Sequence, residues 1–526
     1  MSRTEQEFKE RDEQQNDNIE MGHEREKVAG EGSKGQEGPE AGNQDYKKAG
    51  VFKLILQRLK RGKKARGQDL TQMTISKSII VLAIPVILRM TLQMIVGVVD
   101  LAMVGRLGSA AIAAVGMSNQ LMWFIISATT AFSVGTTAMV ARFIGAKKRD
   151  LAEEVAKQSV AITFVIATFI AILGFIFARP IFGFMIILME RADPAVLDAG
   201  QTFFRILALS FPFFFSMMVI NGIMQGSGDT VTPLKVNALA NVINIVGDYV
   251  LIFGVGPFPE LGIAGAAIAT AFSRSFAAVV GFSVLVRGNS ELKIHLSKKF
   301  RFNWHLIKEV AGIGVPAAAE QLIRNSGTTI MTMIVASFGT VALAANQIVM
   351  RGISIANMPG FGFGMAATTL VGQNLGAKQP ERAEESGMTA NKMGVTFMVV
   401  MASLIFLGAN QIAAFFTPDP DVIKLAARSM RIIAVALPFL SITLTLAGGL
   451  RGAGDTKWVM YITAIGVWFG RVGAAILLAK VIGLGFMGVW VAMGFDWFVR
   501  SMMTLGRFKT GNWKKIKLHQ EQKQTA

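Results

Sequence analysis

The chain has 526 residues, 52% of them hydrophobic, and a formal net charge of +18. Apolar runs of roughly 20 or more recur along it, which a soluble core does not need, and the basic residues gather in loops and tails, so membrane topology explains the charge and no nucleic-acid partner is expected. Cysteine is absent, His23, His295, His305 and His519 all lie outside the apolar segments, and no GxxxxGK[ST] loop occurs, which excludes thiol chemistry, a metal cluster within the membrane and ATP as the energy source.

In chain order, residues 1–50 are rich in Glu, Gln, Gly, Lys and Asp and predict a disordered cytoplasmic tail, since they hold too little apolar surface to fold. Residues 51–75 form a basic juxtamembrane segment. Its start, VFKLILQRLKRGKKARG, suits an interfacial stretch on an anionic leaflet or a plain solvated linker. The first apolar run begins near Ile79, after a highly charged start, so a cleavable signal peptide is not expected. Twelve spans follow, at about 77–104, 110–137, 156–179, 200–224, 232–255, 262–286, 309–337, 342–368, 388–414, 425–450, 457–480 and 484–506. They predict an all-α integral membrane protein in which 76–286 is an N-terminal six-helix lobe and 309–506 a C-terminal one. Residues 287–308 link the lobes on the cytoplasmic side, and 507–526 is a basic cytoplasmic tail. The loop RFIGAKKRD, the linker and the C-terminal tail are basic and fall on one side, whereas PFPELG and TPDPD carry no Lys or Arg. Both termini are therefore expected in the cytoplasm of a cell with a plasma or inner membrane.

The chain repeats itself. GAKKRDLAEE at Gly145 returns as GAKQPERAEE at Gly376, 231 residues on, and Pro85 with Pro316 and Gly108 with Gly339 share that offset. RILALSFPFF from Arg205 matches RIIAVALPFL from Arg431, and GSGDT from Gly226 matches GAGDT from Gly452, both 226 apart. Gly262 and Gly265 pair with Gly485 and Gly488 at 223. Each copy holds six spans, an even number, so the copies insert the same way round and are related by an axis along the membrane normal. Residues shared by both copies read as structural. The glycines of the GAK and GDT loops suit tight turns and helix ends, Asp229 and Asp455 suit caps, and Pro212 and Pro438 suit kinks.

What the copies do not share marks function. In the fifth span, NALANVINIVGD places Asn237, Asn241, Asn244 and Asp248 at spacings of 4, 3 and 4, on one narrow arc of a helix turning about 100° per residue. A stripe ending in a carboxylate must face away from lipid, either as interhelical glue or as a site for a cation or proton. At offset 226 these residues become Thr463, Val467, Gly470 and Ala474; Asp100 in the first span becomes Met331, and Thr270 in the sixth becomes Met493. Both acids are thus confined to the N-terminal lobe. Burial disfavours a charged carboxylate, and two facing carboxylates can share a proton; with Asn and Thr oxygens they equally suit Na⁺. Glu320 with Arg324, and Asp496 with Arg500, are spaced as neutralising intrahelical pairs. Arg89, Arg274, Arg351 and Arg471 snorkel, pair with acids or hold lobes together. The run RILALSFPFFFSMM is packing or lipid-facing surface, with an adaptable drug chamber as the alternative.

The twelve spans in two lobes, VGRLGSAAIAAVG after the first span, and the paired QGSGDT and RGAGDT motifs resemble the multidrug and toxic compound extrusion (MATE) transporters over about residues 75–506. Asp100 and the Asn244-x3-Asp248 pattern look like the DinF-type branch, while no acid stands in the eighth or tenth span. The resemblance implies no enzymatic activity and no cofactor. It implies a monomeric secondary multidrug efflux transporter in the lipid bilayer, exporting amphipathic, often cationic, drugs and toxic organic compounds in exchange for H⁺ or Na⁺ by alternating access. It also implies that Asp100, Asn244, Asp248 and Thr270 form the coupling network. Asn237, Asn241 and Glu320 are the candidates for the substrate pocket. A lipid-linked saccharide flippase of the same superfamily is the alternative, with intramembrane arginines to hold a pyrophosphate.

Overall fold

The computed structural model describes residues 70–188, 194–288, 290–295, 297 and 300–516. The expectations for 1–50, for most of 51–75 and for 517–526 lie outside the described residues. The described chain is helical, in the order α1 Ile75–Gly105, α2 Ser109–Gly145, α3 Arg149–Leu188, α4 Pro194–Leu209, α5 Phe211–Gly226, α6 Val231–Phe253 and α7 Gly262–Val286. After the linker come α8 Trp304–Ala336, α9 Thr340–Gly376, α10 Pro380–Leu407, the short α11 Ala409–Phe416, α12 Pro420–Gly452, α13 Thr456–Val481 and α14 Gly485–Lys509. Helices are what lipid permits, because every backbone N–H and C=O finds its partner within the segment. With α4 and α5 forming one bent span, these make twelve membrane crossings in two six-helix lobes. Nine of the twelve pass a strict test of length and hydropathy among the described residues. The other three, α8, α9 and α14, are as long but bury polar and charged side chains inside the C-terminal lobe.

The internal repeat is legible in the backbone itself. Positive φ occurs in matched pairs: Gly108 at 102° with Gly339 at 93°, Lys147 at 59° with Lys378 at 58°, Gly228 at 93° with Gly454 at 86°, and Gly262 at 53° with Gly485 at 57°. These pairs carry the offsets 231, 231, 226 and 223. In the GAK loops it is the lysine, not the glycine, that takes the left-handed turn. Gly145 and Gly376 are needed for a different reason: a Cβ on Gly145 would strike the Gln373 backbone, and one on Gly376 would strike the Arg142 backbone. The two contacts exchange under the 231 offset. So do Gly314 against Ala131 and Gly362 against Ala83. Contacts that swap partners in this way define a pseudo-twofold relation between the lobes.

These contacts hold the lobes together along one half of their length. The seam runs from the end bearing the basic loops, here the basic end, to about mid-helix. Arg142 donates to Ala453 O at 3.2 Å, Gln373 to Gly226 O at 3.0 Å, Thr369 to Gln225 O at 3.0 Å and Asn325 to Ser127 Oγ at 2.8 Å. Beyond Thr91, which meets Met358 Sδ at 3.7 Å, α1 is loosely packed, with Leu92, Ile95, Val98 and Leu101 exposed. The Glu pairs of the repeat anchor what leaves each lobe. Glu153 accepts from the His295 backbone N–H at 2.7 Å and fixes the linker, and its counterpart Glu384 pairs with Lys514 at 2.5 Å and fixes the tail.

Two pairs of equivalent elements diverge. The chain breaks at Ser210 with a 54° bend between α4 and α5, yet α12 runs unbroken through Pro438, so only Pro212 accompanies a break. Ser210 Oγ donates back to Leu207 O at 2.7 Å, and the rings of Phe182, Phe204, Phe211 and Phe215 pack in tilted and edge-to-face pairs through the corner, their centroids 5.5–5.9 Å apart. The C-terminal copy has Met430, Leu437 and Ser441 where Phe204, Phe211 and Phe215 stand. This part of the Phe-rich run is therefore packing. The second divergence is α13, wound in π-helical turns over Gly466–Gly473 and Leu477–Val481, whereas α6 is regular.

Candidate functional site

The expected coupling residues converge in the N-terminal lobe. Helices α6 and α7 cross where glycines remove the side chains between them. A Cβ on Gly247 would stand 3.1 Å from Ala269 Cβ, and one on Gly265 would strike the Leu251 backbone. This close crossing lets short side chains meet. Asn244 donates through Nδ2 to Asp248 Oδ2 at 3.1 Å and faces Thr270 Oγ1 at 3.4 Å. Asp100 of α1 comes within hydrogen-bonding reach of Asp248. Asp248 is 2% exposed and Asn244 6%. Oδ1 of Asp100 and Oδ1 of Asp248 are both buried with no hydrogen-bond partner. A buried carboxylate oxygen without a partner is costly, and a proton or a hard cation is the kind of group that relieves that cost. Among the described residues no cluster of three or more His, Cys, Asp or Glu offers a conventional metal site.

A fifth residue joins this group. Arg274 of α7 is within electrostatic reach of Asp100, stacks over the Phe214 ring at 4.4 Å and keeps a buried Nη1 without a partner. Its sequence signal was only that of an arginine in an apolar span. The upper stripe is held differently. Asn237 donates to Pro233 O at 2.7 Å and to Asn221 Oδ1 of α5 at 3.5 Å, a helix-to-helix tie, while Asn241 lies partly buried one turn on.

The charges of the C-terminal lobe are paired across helices. Glu320 is gripped by Arg451 of α12, with Arg451 Nη2 at 2.7 and 2.8 Å and Nε at 3.2 Å from its two oxygens. Arg324, the expected intrahelical partner, stands at 3.6 Å and is secondary. Sequence spacing favoured the near neighbour, but a bidentate guanidinium arriving from another helix wins on geometry. Asp496 does pair with Arg500 at 2.7 Å, as the spacing predicts, and also receives Arg471 of α13 at 2.7 Å. Arg471 reaches Thr328 Oγ1 of α8 at 3.2 Å as well. The π-helical turn serves this contact: Gly466 and Gly470 lie flat against Arg500 and Asp496, where a Cβ would collide or crowd. Arg351 is exposed. Asp229 caps α6 by accepting from Thr232 N at 2.9 Å, but Asp455 does not cap α13; its carboxylate pairs with Arg507 at 2.8 Å.

The MatE family model matches the chain twice, over residues 85–250 and 316–476, once in each lobe and starting 231 residues apart. The chain belongs to the MATE family of transporters. This MATE protein is 31% identical over 442 residues to the probable multidrug resistance protein NorM of Thermotoga maritima, covering 84% of this chain and 94% of that one. It is 25% identical to the multidrug resistance protein MdtK of Photorhabdus laumondii, covering 82% and 94%. Among solved structures it superimposes on a MOP superfamily transporter from Pyrococcus furiosus with a TM-score of 0.79 at 23% identity, covering 86% of this chain and 100% of that one. An outward-facing multidrug resistance MATE transporter gives 0.79 at 22% identity with the same coverage. MATE membership makes the chain a multi-pass membrane transporter, with relatives in multidrug efflux.

Proposed function

We propose that this MATE transporter exports amphipathic compounds in exchange for H⁺ or Na⁺ by alternating access, with Asp100, Asn244, Asp248 and Thr270 as the coupling network. The observation that carries this is the meeting of Asp100 and Asp248, from α1 and α6, each with a buried oxygen lacking a partner. The names of the relatives support drug efflux as the task. The same acids and Asn244 support placement in the DinF-type branch.

The chemistry follows from the pair. Two carboxylates at close range in low dielectric repel, so the ionised pair favours a looser arrangement of α1 against α6. A proton shared between them, or a Na⁺ held by Asp100, Asp248 and the oxygens of Asn244 and Thr270, removes the repulsion and draws α1 in. Arg274 faces Asp100 and limits how far its charge goes unbalanced. Movement of α1 reaches the seam, because Ala83 and Thr91 of the same helix touch Gly362 and Met358 of α9. Ion binding and lobe opening thus share one rod. With the basic end in the cytoplasm, the closed seam is the inner gate and the loosely packed half opens outward.

The test is export of a cationic dye from proteoliposomes of the full chain under separately imposed pH and Na⁺ gradients. Export should follow one gradient and lose that dependence in Asp100→Asn and Asp248→Asn. Export driven by ATP, or gradient-driven export that survives both substitutions, refutes the proposal.

A further inference from the structure

The C-terminal lobe holds a second charged centre that ion coupling leaves unused. Glu320, Arg324 and Thr328 form a stripe on α8 at spacings of four, facing Arg451 of α12, Arg471 of α13 and Asp496 and Arg500 of α14. Arg324 lies within electrostatic reach of Arg451, Arg471 and Arg500, so this is one cluster. It contains four guanidiniums and two carboxylates, which leaves two positive charges uncompensated. No further carboxylate comes from the walls. Helices α2, α9 and α13 contain none, and α12 has only Asp421 in its first turn, at the far end. Glu309 and Asp455 stand toward the basic end, and Asp455 is taken by Arg507. None of the six charges recurs in the first copy, where their equivalents are Arg89, Gln93, Gln225, Ile245, Ser273 and Ala277.

The charges are unevenly held. Asp496 is fully buried and its oxygens accept four bonds from Arg471 and Arg500. That half is a closed structural triad. Arg324 and Arg451 instead keep 22% and 19% of their side chains exposed; Arg324 holds its acid only at 3.6 Å and donates its nearer bond to the neutral Gln321 Oε1. Excess positive charge in a low-dielectric bundle attracts an anion, and guanidinium groups suit carboxylate, phosphate or sulfonate oxygens. Asn325, next to Arg324, donates to Ser127 Oγ of the opposite lobe, so this stretch of α8 stands at the inner end of the seam, where the cleft between the lobes would begin.

We propose that Arg324 and Arg451 form an anion subsite that takes the carboxylate, phosphate or sulfonate head of an amphiphile lying in the cleft, whether a transported compound or a membrane lipid. It rests on the transporter reading for its setting, since the cleft is then the substrate path. The apolar body lies along the parted faces of the lobes while the acid head meets the guanidiniums.

Binding by the full chain in phosphatidylcholine nanodiscs tests this without any ion gradient. The probes are dansylaminoundecanoic acid and its methyl ester, which differ in one charge. The acid should bind about tenfold more tightly than the ester, the scale of one charge-assisted hydrogen bond. Arg324→Gln should erase the preference and Arg324→Lys should retain part of it. Glu320→Gln removes a competing carboxylate and should enlarge it, a change of opposite sign that a merely structural role would not give and that decides the matter if Arg324→Gln does not fold. Adding phosphatidylglycerol to the nanodiscs separates the sources: loss of the acid preference assigns the subsite to lipid heads, and its persistence assigns it to free amphiphiles. Equal binding of acid and ester by the parent chain, or a preference unchanged in both variants, overturns the proposal. Dye export that fails while the acid preference holds would sink the transport reading and leave the subsite standing.

Discussion

The two lobes share a fold, a loop grammar and matched backbone angles, yet their charged centres have opposite sign. The N-terminal lobe brings two carboxylates together with one arginine, and leaves oxygens without partners. The C-terminal lobe brings four arginines to two carboxylates and saturates the deeper acid. Duplication supplied one scaffold, and the residues that differ between copies divided the labour. The saturated Asp496 triad ties α13 to α14, whereas the two N-terminal acids keep buried oxygens without a partner.

Several experiments would break or sharpen that contrast. The largest effect on transport is expected from Asp100→Asn and Asp248→Asn, which should lower gradient-driven export to its level without a gradient while the protein folds normally. Glu320→Gln should keep most of the gradient response; the reverse ranking would move coupling to the C-terminal lobe. Stability should rank the other way. Asp496→Asn strands two buried guanidiniums and should cost about 3–5 kcal/mol in the unfolding of detergent-solubilised protein. Glu320→Gln should cost less, since Arg324 and Arg451 are partly exposed whereas Arg471 and Arg500 are buried.

The seam offers a symmetric test. Gly145→Ala and Gly376→Ala each drive a methyl group into backbone, which cannot rotate away, and should each weaken closure at the basic end by on the order of 1–3 kcal/mol. Crosslinking of Cys pairs placed across the seam of this Cys-free chain measures it, and the twofold relation requires the two effects to match. Gly247→Val should separate α6 from α7 and raise the concentration of coupling ion needed for half-maximal export, without changing lobe closure. Smallest is the expected consequence of deleting residues 1–50, which should leave export unchanged at normal membrane abundance. A Cys at the exposed position 293, in the linker, should resist impermeant reagents applied from outside intact cells.

The spans, the duplication and the polar stripe of α6 were legible in the sequence because each is written in short-range periodicity. Hydropathy over a bilayer's length marks a helix, a fixed offset marks a repeat, and spacings of three and four put Asn244 and Asp248 on one face. The partners were not legible. Spacing paired Glu320 with Arg324, four residues away, whereas its main partner is Arg451, 131 residues on. Asp455 looked like a cap and is an ion-pair partner of Arg507. The glycine of the GAK loop reads as a turn or helix-end residue; it does end its helix, but its close approach to the other lobe was not legible.

By itself the amino-acid sequence determined an all-helical, twice-repeated transporter with two acids confined to one half, since local burial pattern and chain-internal comparison suffice for that. Only the tertiary structure decided which charges meet, that the same proline accompanies a break in one copy and not the other, and that the second lobe is left with excess positive charge. Those outcomes depend on how closely glycines let backbones approach and on which side chains arrive from distant helices, and neither quantity is carried by spacing along the chain.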